Sequence, residues 1–153
     1  KRSEWRKQNV YPYEWKDELE TLKYVQILKV NELEMEVLTG ITYIRGGAQQ
    51  LHDWGVREVL VTLGSLGSVI YDGEQCYSIP AYKPRQVVDA TGCGDTYVTG
   101  YLYKRAKGAS IEDAGKFAAA MATIKIEASG PFDGTQDDVE KRITTAEEII
   151  PVF

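Results

Sequence analysis

Residues 87–103 read VVDATGCGDTYVTGYLY. An apolar pair runs into Asp89, the small residues Thr91, Gly92, Cys93 and Gly94 follow, and a second acid, Asp95, opens a run of helical composition. Where a strand end meets a helix start, the backbone N–H groups of Gly92, Cys93 and Gly94 have no helical carbonyl to bond. Together with the positive end of the helix dipole they make a place for an anion. A carboxylate beside that place does not help to hold an anion in the ground state. It gains a use if a hydroxyl must lose its proton next to a phosphoryl group, with Asp95 as the base and the amides stabilising oxygens that gain charge. The plainer reading is that Asp95 begins or caps the helix, because acids are favoured in the first turn. The P-loop pattern GxxxxGK[ST] is absent, and Tyr97 stands where GxGxxG needs its third glycine, so neither common phosphate fingerprint applies.

Two further stretches carry residue types that would serve such a site. TLGSLG, from Thr62 through Leu63, Gly64, Ser65 and Leu66 to Gly67, brings two glycines and two hydroxyls to the end of an apolar run. It reads equally as an ordinary tight hairpin turn. NELE places Asn31 and Glu34 directly after another apolar run. Asn followed three residues later by Glu is a helix-capping box. The same pair is also an amide and a carboxylate suited to phosphate oxygens and hydrated Mg²⁺.

These residues need elements to position them. Residues 24–30, YVQILKV, have the composition of a short buried strand, and a helix follows at once with Leu33, Val37 and Leu38 at helical spacing and Gly40 at its end. A second helix is expected from Tyr43 to Trp54, with Ala48, Leu51 and Trp54 on one side and Gly55 closing it. Val59–Val61 reads as a central strand, Val69–Tyr71 as the next, and DGE turns the chain into a third through Tyr77 and Ile79. Pro80 and Pro84 bracket a loop, and Gln86–Val88 are expected to form a last short strand that the glycine motif turns into a helix reaching Lys107. Ser110 caps another helix, with Ile111, Ala114, Phe117, Ala118, Met121 and Ala122 on one face, and Thr135 with Asp138 caps the last. Strands alternating with helices predict an α/β sheet with helices on its faces. Such sheets bind ligands at the C-terminal ends of their strands.

Composition narrows the partners. The chain has 153 residues, 43% of them hydrophobic, which is ample for one core. A formal net charge of −5 argues against nucleic acid or an anionic membrane as the main partner. The one basic run, KRSEWRK at residues 1–7, is short and reads as a solvated tail. No apolar run approaches the ~18 residues that span a bilayer and no signal peptide opens the chain, so a cytoplasmic location is expected. Two cysteines, Cys76 and Cys93, and one histidine, His52, make neither a disulfide framework nor a zinc site, so any metal must rest on carboxylates.

The set NELE, TLGSLG and DATGCGDT, in this order and at these spacings, resembles the ribokinase-like, or PfkB, family of carbohydrate kinases. That family's signature Asp-Thr-x-Gly-Ala-Gly-Asp is matched by Asp89, Thr91, Gly92, Gly94 and Asp95, with Cys93 in place of the alanine. The resemblance runs from about residue 24 to the C-terminus. It implies a three-layer α/β/α ribokinase-like fold, of which this chain matches the C-terminal, nucleotide-binding half. It further implies an ATP-dependent transfer of the γ-phosphate to a hydroxyl of a sugar or nucleoside-like small molecule. Asp95 is then the catalytic base, and the amides of Gly92, Cys93 and Gly94 the anion hole. By the same matching Thr62, Leu63, Gly64, Ser65, Leu66 and Gly67 line the nucleotide with Gly94 and Asn31, and Glu34 serves Mg²⁺. Ala119 stands where many relatives have a polar residue near the adenine, so contacts to the base are expected to be mainly apolar. Some members also hold a monovalent cation, K⁺. The positions matching its ligands are Asp89, Thr91, Lys125, Ala128 and Gly130, largely through backbone carbonyls.

Members of that family are longer, and the part without a counterpart here carries most sugar contacts and a lid that often supplies a homodimer contact. The 153-residue chain alone is therefore expected to lack turnover, because water exclusion and hydroxyl positioning need that part. Cys93 is expected to be inert packing. A reading from another class is a non-catalytic nucleotide-binding or assembly module that keeps the kinase fold, which the intact Asp95 disfavours.

Overall fold

The structure, a computed structural model, describes residues 17–153. The basic run at residues 1–7 lies outside the described residues. A short helix, α1 (Glu18–Leu22), precedes strand β1 (Ile27–Asn31), then helices α2 (Glu32–Thr39) and α3 (Ile44–Asp53) and strand β2 (Glu58–Thr62). A 3₁₀ turn over Gly64–Leu66 leads to β3 (Ser68–Tyr71) and β4 (Cys76–Ile79), followed by a two-residue strand, β5 (Ala81–Tyr82). Helices α4 (Cys93–Ala106), α5 (Ile111–Ile126) and α6 (Gln136–Thr145) and the short β6 (Glu148–Ile149) complete the chain.

The main sheet has the order β1-β2-β3-β4, with β1 and β2 parallel and the two later pairs antiparallel. Its alternating side chains separate two cores. Val30, Val59, Val61 and Val69 pack under α2 and α3 with Met35, Ala48 and Leu51. Leu60, Ile70 and Ile79 pack on the other face under α4, α5 and α6 with Tyr101, Phe117 and Val139. The result is the expected three-layer α/β/α arrangement, with a mixed sheet between helices.

The local stop and start signals act where the sequence puts them. Gly40 ends α2 at φ 69°, Ser110 accepts from the Asp113 N–H, and Thr135 with Asp138 closes a capping box. Two expectations need correction. Gln86–Val88 form no strand: Val87 and Val88 are exposed, and the Val88 and Asp89 N–H groups both donate to the Ile126 carbonyl at the end of α5. That stretch docks on a helix terminus, so no ladder forms. Leu33 and Val37 of α2 are exposed while Met35 is fully buried against Gly47. The helix is two turns long and meets the sheet through its middle, which turns that pair outward. The pairing of β5 with β6, Ala81 with Ile149 and Tyr82 with Glu148, had no local signal.

Candidate functional site

The stretch from Asp89 to Asp95 forms a tight loop over the N-terminus of α4. Gly92 is the residue before the first helical one and has φ +78°, a conformation that costs residues with a Cβ. The Cys93 N–H folds back to the Ala90 carbonyl at 3.2 Å, and Thr96 closes the first helical turn on the Gly92 carbonyl. The N–H groups of Gly92 and Gly94 donate to no backbone acceptor among the described residues. Of the three amides expected at the anion site, two are thus free and one is engaged in the turn.

Asp95 occupies the third position of α4. The same position is held by Glu34 in α2 and Asp138 in α6, and both of those carboxylates bond back to close a capping box. Asp95 does not: its helix begins at a glycine with no side-chain cap, and its exposed carboxylate makes no hydrogen bond or ion pair among the described residues. Capping accounts for those two acids; Asp113, third in α5, likewise makes no carboxylate bond among the described residues, so what sets Asp95 apart is its place beside the free amides of Gly92 and Gly94.

A cation stands against this loop that the sequence analysis missed. Lys29, in the middle of β1, sends its ammonium to 3.0 Å from the point a Cβ on Gly94 would occupy. The glycine is what allows the approach. Lys29 shares a sheet face with Ile27, which packs toward α4 and α5, whereas Val30 packs toward α2 and α3. A lysine inside an otherwise apolar strand, two residues before Asn31, was the available signal. No carboxylate lies within ion-pairing distance of it among the described residues.

A second ammonium lies beneath. Lys125, in the last turn of α5, is 4% exposed, and its Nζ donates to the Asp89 carbonyl at 3.2 Å. Its Cε passes 3.9 Å from where a Gly92 Cβ would be. The Asp89 carboxylate accepts the Thr91 N–H at 2.9 Å, and these Thr91 contacts, with a smaller pull from Lys125, hold its carboxyl below the usual range. Gly130, at φ +84°, lies in the loop after α5, and the Ala128 N–H donates to the Lys125 carbonyl at 3.3 Å. Burial pushes the Cys93 thiol up, so it stays protonated and unreactive at neutral pH.

Beside the loop opens a cleft of about 420 Å³. Thr62, Gly64, Ser65, Gly67, Cys93, Gly94 and Ala119 line it, joining the two glycine stretches and α5 in one concavity. Its remaining wall, which local reasoning missed, is Tyr82, Pro84, Val87, Ala122, Ile126 and Ile149 among others, and is largely apolar. The strand pair β5–β6 and the proline loop bring this wall in. Leu63 and Leu66 do not line the cleft: Leu63 is buried in the core under α2 and α3, and Leu66 is exposed at the tip of the turn. Asn31 and Glu34 sit at the end of β1 and bond to each other's backbone at 2.8 Å in both directions. TLGSLG is also the hairpin turn between β2 and β3, with the Leu63 N–H on the Gly67 carbonyl at 2.9 Å. Tyr97, where a dinucleotide fingerprint would need glycine, is buried and shares a 2.6 Å hydrogen bond with Ser68, tying α4 to β3. Burial pushes its hydroxyl up to about 12.

The geometry therefore offers free amides, a helix N-terminus and two ammonium groups around one point, an uncommitted carboxylate at its edge and an apolar cleft alongside. No group of three or more ligating side chains that could cage a metal occurs among the described residues. Among them, too, no helix is long and apolar enough to cross a membrane.

Comparison with known proteins gives a consistent picture. The profile of the pfkB family of carbohydrate kinases matches residues 1–138. A ribokinase of Arabidopsis thaliana is 35% identical over 124 residues, which are 77% of this chain and 33% of that protein. A nucleoside kinase of Methanocaldococcus jannaschii is 34% identical over 114 residues, 73% of this chain and 36% of its own. The solved structure of the Arabidopsis ribokinase with ribose and ATP superposes with a TM-score of 0.76 at 34% identity, covering 82% of this chain and 43% of that one. The Methanocaldococcus jannaschii kinase gives 0.75 at 32% identity, over 86% of this chain and 44% of that one. The chain thus spans about a third of the length of the curated relatives it matches.

Proposed function

Because the chain belongs to the pfkB family of carbohydrate kinases, we propose that it carries the nucleotide-binding and catalytic half of an ATP-dependent kinase that phosphorylates a hydroxyl of a sugar or nucleoside-like small molecule. The observation that carries this reading is the free carboxylate of Asp95. It stands at a helix start that has no side-chain cap and whose two neighbouring amides are also free, so the carboxylate and the unpaired donors meet at one point.

The donor lies with its base in the apolar cleft, between the Thr62–Gly67 turn and Ala119. The volume of about 420 Å³ leaves ample room for a nucleobase. Its phosphates run toward the start of α4, where the Gly92 and Gly94 N–H groups and the Lys29 ammonium meet the terminal phosphoryl oxygens. These donors are fixed before the reaction, so charge building on those oxygens is stabilised without reorganisation. Asp95, the residue after Gly94, takes the proton of the acceptor hydroxyl as its oxygen attacks phosphorus. Mg²⁺ needs only one or two carboxylates when phosphates and water supply the rest, and Glu34, whose second carboxylate oxygen is left over from the capping bond to Asn31, would hold it. When bound, Mg²⁺ neutralises phosphate charge. No residue of this chain is assigned to selecting or covering the acceptor, and we expect the 153 residues alone to bind the donor but to lack turnover.

The test is Asp95→Asn in a kinase containing this chain, assayed for ADP formation against a panel of sugars and nucleosides. Removing the base is expected to lower turnover by about 10²–10⁴, while ATP affinity is retained or rises. Turnover near that of the unaltered protein would show that Asp95 is not the base. Pyrophosphate replacing ATP as the better donor would refute the assignment of the cleft to a nucleobase.

A further inference from the structure

We propose that the ammonium of Lys125 takes the place of a bound monovalent cation beneath the phosphate loop, so that donor binding by this chain does not depend on K⁺. The proposal rests on the kinase reading above for its purpose, and on the geometry of the loop for its content. Resemblance to the family led to the expectation that Asp89, Thr91, Lys125, Ala128 and Gly130 would offer carbonyls to K⁺. The structure puts a side chain there. Lys125 reaches across 36 residues of sequence to donate to the Asp89 carbonyl at 3.2 Å, a hydrogen-bonding distance. The residue is 4% exposed, and no carboxylate lies within ion-pairing distance among the described residues. Its own carbonyl is taken by the Ala128 N–H.

A metal cation and this ammonium do not fit together. Two unit positive charges about 4 Å apart repel strongly enough, at an effective protein dielectric, to lower a cation's occupancy by a factor of about a thousand. A buried ammonium that makes no ion pair, with only a weak longer-range attraction to Asp89, is costly in the free protein, and that cost is relieved when an anion arrives on the other side of the loop. The side chain is placed for this: its methylenes run under Gly92, and Lys29 stands at Gly94. The loop is held between two lysines, one at its open face and one beneath it. A tethered charge is always present, whereas a dissolved ion has to be drawn from solution.

The experiment titrates the 153-residue chain with a fluorescent ATP analogue plus Mg²⁺ in KCl, NaCl and choline chloride at equal ionic strength, and follows thermal unfolding without nucleotide in the same salts. The unaltered chain is expected to show the same affinity and the same Tm in all three. Lys125→Ala leaves both a space and the carbonyls, and is expected to bind about tenfold more weakly in choline, with recovery in KCl and a K⁺-selective rise in Tm. Lys125→Met fills the space without charge and is expected to lose affinity with no recovery in any salt. K⁺-dependence of the unaltered chain would overturn the proposal, and so would a loss in Lys125→Ala that no salt repairs, which would mark Lys125 as packing alone. If Lys125→Ala does not fold, the salt series on the unaltered chain decides the matter by itself. Absence of nucleotide binding in every salt would refute the kinase reading, while the unfolding series would still decide whether Lys125 replaces the cation.

Discussion

Gly92 and Gly94 are two residues apart in the same loop, yet replacing each by alanine should act on the protein in opposite ways. Gly92 has φ +78°, and a Cβ there would find open space apart from the Lys125 Cε at 3.9 Å. Its cost is therefore conformational, about 1–2 kcal/mol for a side chain held in the left-handed region. Gly94 lies inside α4 with helical backbone, where alanine is favoured over glycine by up to about 1 kcal/mol. The one obstacle is the Lys29 ammonium at 3.0 Å from the new Cβ, which must retreat by a few tenths of an ångström. It sits at the end of a flexible side chain and can do so at little cost to folding. For a chain of this size each kcal/mol moves Tm by about 2–4 °C. Gly92→Ala should thus lower Tm by about 2–8 °C, and Gly94→Ala should leave it unchanged or raise it slightly. Nucleotide binding should show a different pattern. Gly94→Ala pushes a cation off the phosphate site and puts a methyl group over it, so affinity for ATP should fall by about tenfold, or 1.4 kcal/mol, despite the undiminished stability. Scanning calorimetry and titration on the same samples measure both quantities. Equal destabilisation by the two variants, or unaltered ATP affinity in Gly94→Ala, would refute the placement of Lys29 and of the helix start.

Lys29→Met should weaken binding of ATP more than that of adenosine, by about tenfold in relative affinity; titrating both ligands checks it, and an equal loss for both would place Lys29 away from the phosphates. Tyr82 carries a hydroxyl that is buried with no partner among the described residues, so Tyr82→Phe should be neutral or stabilise the chain by about 1 kcal/mol in urea unfolding. Glu127 makes a two-pronged ion pair with Arg142 and accepts the Arg85 N–H. Burial works to raise its carboxyl, but these contacts outweigh burial and hold it below the usual value of 4.5. A depressed folded value stabilises the protein above the unfolded value and is lost as pH falls through the folded one. Stability measured from pH 6 to about pH 3 should therefore decline, and Glu127→Gln should remove part of that decline while lowering stability at neutral pH by about 3 kcal/mol.

The chain by itself determined the order of elements and most of their ends, because those signals act within a few residues. Gly40, Gly55, Ser110 and Thr135 each stop or start a helix through backbone geometry or a bond to a residue three positions away. While the fold settled which side chain faces which core, the apolar run Val59–Val61 likewise marked a central strand. The loop from Asp89 to Asp95 and the turn from Thr62 to Gly67 were legible as candidate site residues for the same reason: glycines and acids at fixed spacing carry their chemistry with them. Only the tertiary structure decided what meets that loop. Lys29 arrives from a strand more than 60 residues earlier, and Lys125 from the end of a helix 36 residues later. The strand position of Lys29 was unusual and the family resemblance grouped Lys125 with the loop through its backbone, but neither signal showed that an ammonium would reach Gly92 or Gly94. Leu33 and Val37 face outward, and Gln86–Val88 bond to a helix end, because the docking of whole elements overrides spacing within one. Long side chains crossing between layers obey no sequence period, and here they set both the charge under the phosphate loop and the room above it.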